Sequence, residues 1–147
     1  MIPILLERCP GFAPAWQKHR EEWGQKQAGI YNDLAKFVHF LVKSYGQGET
    51  DSFPAVFEAV EVFIVEGDEE TKNAAALGIL ETLQCVASWK PFGARAFVKW
   101  LGPKSREAWA EIEEMWRGKN SLMDVIRAER LAQQSKLNRW YQFWKRR

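Results

Sequence analysis

Histidine and cysteine, on which much nucleophilic and metal chemistry depends, are nearly missing from this chain, with two of each among 147 residues. Cys9 and Cys85 lie far apart and have no Cys or His neighbour at ligand spacing, so they predict reduced packing residues and exclude a disulfide framework or a zinc knuckle. Neither His19 nor His39 has a glutamate three residues before it, which excludes a di-iron site of the Glu-x-x-His type. His39, between Val38 and Phe40, is expected to be partly buried and satisfied by a neighbour, and His19, between Lys18 and Arg20, to be solvated. There is no Gly-x-Ser-x-Gly, and Gly46-Gln47-Gly48 lacks the third glycine, the preceding strand and the lysine of a phosphate-cradling loop. Glu58 with Glu61, and Glu107 with Glu111 and Glu114, have spacings that acid-base chemistry can use but that solvated helix faces show far more often. The sequence therefore assigns no catalytic residue, no metal ligand and no cofactor, and the expectation is a protein that is not an enzyme.

Long apolar runs are also missing. Phe37 to Val42 and Val62 to Val65 are far below the roughly 18 residues of a spanning helix, so no transmembrane segment is expected. At the N-terminus, Ile2 to Leu6 is followed at once by Glu7 and Arg8 and has no basic leader, unlike a signal peptide. With two unpaired cysteines, this points to a cytoplasmic location. No segment alternates apolar and polar residues with period two between turn signals, which argues against a sheet.

What the chain does have is helical periodicity and a heavy aromatic load, eight tryptophans and nine phenylalanines. Proline and glycine divide it into about seven helical segments. Cys9-Pro10-Gly11 ends a short opening helix, and Phe12 to Trp23 makes a second, closed by Gly24. Tyr31, Leu34, Phe37, Val38, Leu41 and Tyr45 recur at steps of three and four and form one buried stripe, stopped by Gly46-Gln47-Gly48. The same holds for Phe53, Val56, Phe57, Val60, Phe63 and Ile64, with Ser52 placed to cap the helix. Asp68 caps a long helix to about Ser88, in which Ala74, Ala75 and Gly78 are small enough for a neighbouring helix to approach closely. Ala94 to Leu101 reads as a short helix. Ser105 is placed to cap the next, which carries Trp109, Ile112 and Trp116 and which Gly118 is expected to end. Ser121 with Asp124 then opens a last helix. The predicted fold is all-α, an irregular antiparallel bundle or a short α-α superhelix. It forms one domain over residues 1–147, with residues 121–147 a basic aromatic C-terminal helix.

Two resemblances bear on this reading. The run from Val65 to Gly78, an acidic turn followed by Lys72-Asn73-Ala74-Ala75-Ala76, resembles the second half of a HEAT-type repeat, within residues 53–88. More widely, Cys9-Pro10-Gly11-Phe12, Gly29-Ile30-Tyr31-Asn32-Asp33, Phe53-Pro54-Ala55-Val56-Phe57 and Leu101-Gly102-Pro103-Lys104-Ser105 resemble the marks of an uncharacterised family of small bacterial helical proteins. That resemblance covers most of residues 1–116 and carries no list of functional residues. Some proteins of this appearance serve as immunity proteins beside secreted toxins, which implies a protein-binding role.

Charge supplies the candidate surfaces. The net charge is only +2, yet eight acids and no Lys or Arg lie between Ser44 and Thr71. Aligned carboxylates attract cationic partners and speed their encounter. The expected function is accordingly neutralisation of a cognate toxin with a basic surface, through Glu58, Glu61, Glu66, Asp68, Glu69 and Glu70. The alternative rests on the basic tail, where Lys136, Arg139, Trp140, Trp144 and Lys145 have the mixture of cations and aromatics that binds nucleic acid or an anionic surface; docking of the same aromatic stripe on the protein's own core competes with both uses.

Overall fold

A computed structural model describes the backbone of residues 1–145, and the side chains of all of these except 120–123, 128–129 and 133–145. It contains seven α-helices among the described residues and no strand. Helix α1 (Ile2–Arg8) buries Ile2 and Leu5 and ends where Pro10 follows Cys9. A single 3-10 turn, Pro10–Phe12, leads into α2 (Ala13–Trp23), which Gly24 closes with φ at +57°. Helix α3 (Ile30–Gly46) buries Leu34, Phe37, Val38, Leu41 and Val42, and α4 (Phe53–Glu66) buries Phe53, Val56, Phe57, Val60 and Phe63. The apolar spacing thus selected the buried faces of both helices, although Tyr31 at the open end of the α3 stripe is half exposed.

Beyond α4 the chain turns at Gly67 and continues as α5 (Glu69–Asn73), a π-helical stretch (Ala74–Glu81) and α6 (Thr82–Ser88), three segments that follow without a break. Asp68 caps this rod as its sequence position predicts, its side chain accepting from the Thr71 N–H at 2.8 Å. The wide middle segment was not legible in the periodicity. Just past its end the Thr82 hydroxyl donates to the Leu77 carbonyl, five residues back, at 3.1 Å. Short reversing connections at both ends of α4 make α3 and the rod run parallel, and small residues fill the seam between them. A Cβ on Gly78 would lie 2.7 Å from Leu34 Cδ1, which is why glycine stands there.

After α6 comes Gly93 with φ at +70°, then a 3-10 helix, Ala94–Trp100. Its Phe97 is fully buried among Tyr45, Phe53, Phe57, Phe92 and Trp100, with ring centroids 4.9 to 6.4 Å away. Each such ring contributes about 1.5–3 kcal/mol through burial, and edge-to-face pairs add roughly 0.5–1.5 kcal/mol. Helix α7 (Pro103–Lys145) follows. The chain divides into two compact units, Met1–Ala110 and Glu111–Arg147.

Several sequence expectations are corrected. Gly118 does not end a helix and Ser121 does not begin one, since α7 runs through both. An internal glycine costs about 1 kcal/mol relative to alanine, a penalty a continuous helix absorbs when no proline follows. Ser52 makes no cap bond to α4; its side chain instead meets the Cys9 thiol. Ser105 is not a cap residue, because Pro103 already occupies the first turn. His19 is buried, not solvated, and its Nε2 lies 2.9 Å from Asp33 Oδ1, joining α2 to α3. His39 and Cys85 are both exposed, not packed inside.

Candidate partner-binding surface

Helix α4 buries Phe53, Val56, Phe57, Ala59, Val60 and Phe63, and its opposite face meets solvent. That face carries two adjacent rows, Glu58–Val62–Glu66 and Glu61–Val65, each stepping by four residues and therefore by about one turn. Val62 is 43% exposed and Val65 50% exposed. Glu58, Glu66, Asp68, Glu69 and Glu70 are all exposed, and Glu61 is partly so. The outer surface of α4 and the first turn of α5 is thus a mixed strip, two valines bordered by carboxylates.

Little cationic charge offsets it. Arg8 reaches Glu58 at 3.9 Å, a long contact between two well-exposed side chains that contributes almost nothing to stability. Glu66, Glu69 and Glu70 form no ion pair with the described residues. A shallow groove of about 430 Å³ runs along the Glu58 end, between Pro54 and Val62 on one side and Lys99 and Trp100 on the other. The Lys99 amine there sits 4.2 Å from the Trp100 ring centroid, a cation–π contact.

The six acids do not behave alike. Glu61 has a local task that its sequence position did not show. Its Oε1 accepts from the Lys104 N–H at 2.7 Å, and its Oε2 accepts from the Ser105 N–H at 2.7 Å and from the Ser105 hydroxyl at 2.6 Å. A carboxylate from α4 therefore caps the first turn of α7, where the free N–H groups and the positive end of the helix dipole favour an anion. Partial burial works against the charge, but the bonds from Ser105 and Lys104, with the Lys104 charge, outweigh it and hold the Glu61 carboxyl below its ordinary range. Asp68 is likewise held low, by the side chain and N–H of Thr71. Gly102 makes room for the clasp, since a Cβ there would fall 2.5 Å from Glu61 Cδ. Glu58, Glu66, Glu69 and Glu70 are free of such tasks.

This folded unit coincides with a family. The model of a domain of unknown function (DUF7674) matches residues 2–117. The chain belongs to that family. The match takes in every acid of the strip, Gly102 and the α7 N-terminus, so the α4–α7 clasp lies within the family domain. Neither the curated proteins nor the solved structures contain a significant match.

The candidate tail residues Lys136, Arg139, Trp140, Trp144 and Lys145 have side chains outside the described residues, and all five fall beyond the matched segment. Among the described residues no helix is long and apolar enough to cross a membrane. Sequence reasoning also passed over a second surface, a groove where α3 and α6 end side by side. His39, Lys43, Cys85, Trp89 and Lys90 come together there from two distant stretches of chain.

Proposed function

We propose that this domain is a protein-binding module that presents the α4–α5 strip to a partner with a basic surface. The observation that carries the reading is the placing of Val62 and Val65, both substantially exposed, beside Glu66, Glu69 and Glu70, which form no ion pair with the described residues. Exposed apolar side chains bordered by an excess of carboxylates match the anatomy of an interface, in which apolar anchors supply affinity and the charged rim supplies encounter rate and selectivity. A toxin whose active or target-binding site is cationic is a fitting partner, and occluding it is the role of an immunity protein in a bacterial cytoplasm. No catalytic step is required of the domain.

The test is co-purification of the tagged chain with the product of the adjacent reading frame, followed by calorimetry of the isolated pair. Reversal of Glu66, Glu69 and Glu70 to lysine should weaken binding by at least about tenfold, and more at low ionic strength, while leaving helical content unchanged. Val62→Ser, which removes the apolar anchor and leaves the charge unchanged, should weaken it to a similar degree without the salt dependence. Affinity unaltered by both changes refutes the assignment of this surface.

A further inference from the structure

The groove between the C-terminal ends of α3 and α6 is unconnected with the acidic strip and carries charge of the opposite sign. It is an open groove of about 660 Å³, within the size range of small-molecule sites. Its floor is apolar, formed by Val42 and Val86, and no carboxylate lines it. Lys43 and Lys90 stand on its rim, and neither forms an ion pair with the described residues. Trp89 is 85% exposed, the most exposed large apolar side chain among the described residues. The wall on the far side is fixed, since Phe92 packs on Tyr45 with ring centroids 4.5 Å apart, and Tyr45 in turn packs on the buried Phe97.

Lysines near helix C-termini complement the helix dipole, and that alone accounts for Lys43 in the last turn of α3. It does not account for a tryptophan left in water beside a second lysine and an apolar floor. A planar ring with an anionic substituent satisfies all of these at once: the ring covers Trp89 and the floor, and the anion meets both amines. Two amines match a phosphate monoester, which carries about −1.5 to −2 charges near neutrality, better than a single carboxylate. We infer that this groove binds a nucleoside monophosphate, with the base stacked on Trp89 and the phosphate held between Lys43 and Lys90.

The exposed thiol of Cys85 lines the same groove, whereas Cys9 is buried, so the site carries its own single reporter. The full chain, labelled with ¹⁵N, is titrated with adenosine 5′-monophosphate, and separately with adenosine and with inorganic phosphate. The nucleotide should shift the Lys43, Cys85, Trp89 and Lys90 amides with a Kd of about 1 mM or tighter. It should also slow alkylation of Cys85 by iodoacetamide severalfold. Adenosine and phosphate should each bind at least about tenfold more weakly, because each satisfies half of the site. Trp89→Ala, and separately Lys43→Gln with Lys90→Gln, should each cost about tenfold in affinity; all three side chains are exposed, and circular dichroism checks that the fold is kept. Absence of shifts at these amides overturns the proposal. So does phosphate binding as tightly as the nucleotide, which would mark an unselective cationic patch, or undiminished affinity in Trp89→Ala.

Discussion

Replacing Glu61 with alanine removes the acceptor for three hydrogen bonds of 2.6 to 2.7 Å at the start of α7. Losing a helix cap costs about 1 kcal/mol, and loss of the favourable charge at the helix N-terminus adds roughly 0.3–1 kcal/mol. The Lys104 N–H is exposed and regains water, but the Ser105 N–H is partly buried and is left poorly satisfied, at about 1 kcal/mol more. The Ser105 hydroxyl keeps the Gly102 carbonyl at 3.2 Å and adds little. The sum is about 2–3 kcal/mol for Glu61→Ala. Glu61→Gln, which keeps one acceptor oxygen but no charge, should lose about 1 kcal/mol. Urea denaturation followed by circular dichroism measures both, and a loss of about 2 kcal/mol should lower Tm by roughly 4–8 °C. The carboxyl's pKa is lower in the folded chain than in the unfolded one. Its contribution is therefore complete above the unfolded value of about 4.5 and is lost as pH falls through the folded value. The deficit of Glu61→Gln should accordingly be full at neutral pH and shrink in acid. Gly102→Ala supplies the cross-check: its Cβ would displace the pinned carboxylate, so it and Glu61→Ala should be non-additive by about 1 kcal/mol or more. An alanine variant within about 0.5 kcal/mol of wild type, or additive behaviour with Gly102→Ala, refutes the clasp as a stabilising element.

Two further outcomes follow from the packing. Gly78→Ala gains up to about 1 kcal/mol of helix propensity but drives a methyl into the fully buried Leu34; the net should be a loss of about 1–2 kcal/mol by thermal melting, and a gain would mean that the seam between α3 and the rod is looser than its 2.7 Å approach indicates. Burial pushes the Cys9 thiol up, against weaker opposing bonds from Ser52 and Phe12, while Cys85 is exposed. Iodoacetamide should therefore modify the native protein once, at Cys85, and the urea-unfolded protein twice; mass spectrometry that finds Cys9 labelled in the native state contradicts that burial.

The helices were legible because each rests on information carried within one or two turns. Three- and four-residue spacing chose the buried faces of α3 and α4. Asp68 marked the start of the rod, and Gly24 marked the end of α2. The errors arose where a tertiary partner outweighed a local preference. His19 has charged neighbours in sequence, yet it is buried because Asp33, one helix further on, offers a bond at 2.9 Å. Gly118 is a local helix breaker worth only about 1 kcal/mol, and α7 passes through it. Within the acidic block, the sequence supplied the number and sign of the charges but not their separate roles.

From sequence alone, then, came the all-α class, the boundaries of most helices and the excess of carboxylate around α4, because these depend on periodicity, on proline and glycine, and on composition. The tertiary structure decided that Glu61 closes onto Lys104 and Ser105, that Val62 and Val65 share the outer strip with the acids, and that Lys43, Trp89 and Lys90 line one groove. The members of the clasp and of the groove stand some forty residues apart along the chain, as Glu61 does from Ser105. No periodicity reaches that far; only the packing of α3, α4 and the rod fixes which side chains face each other.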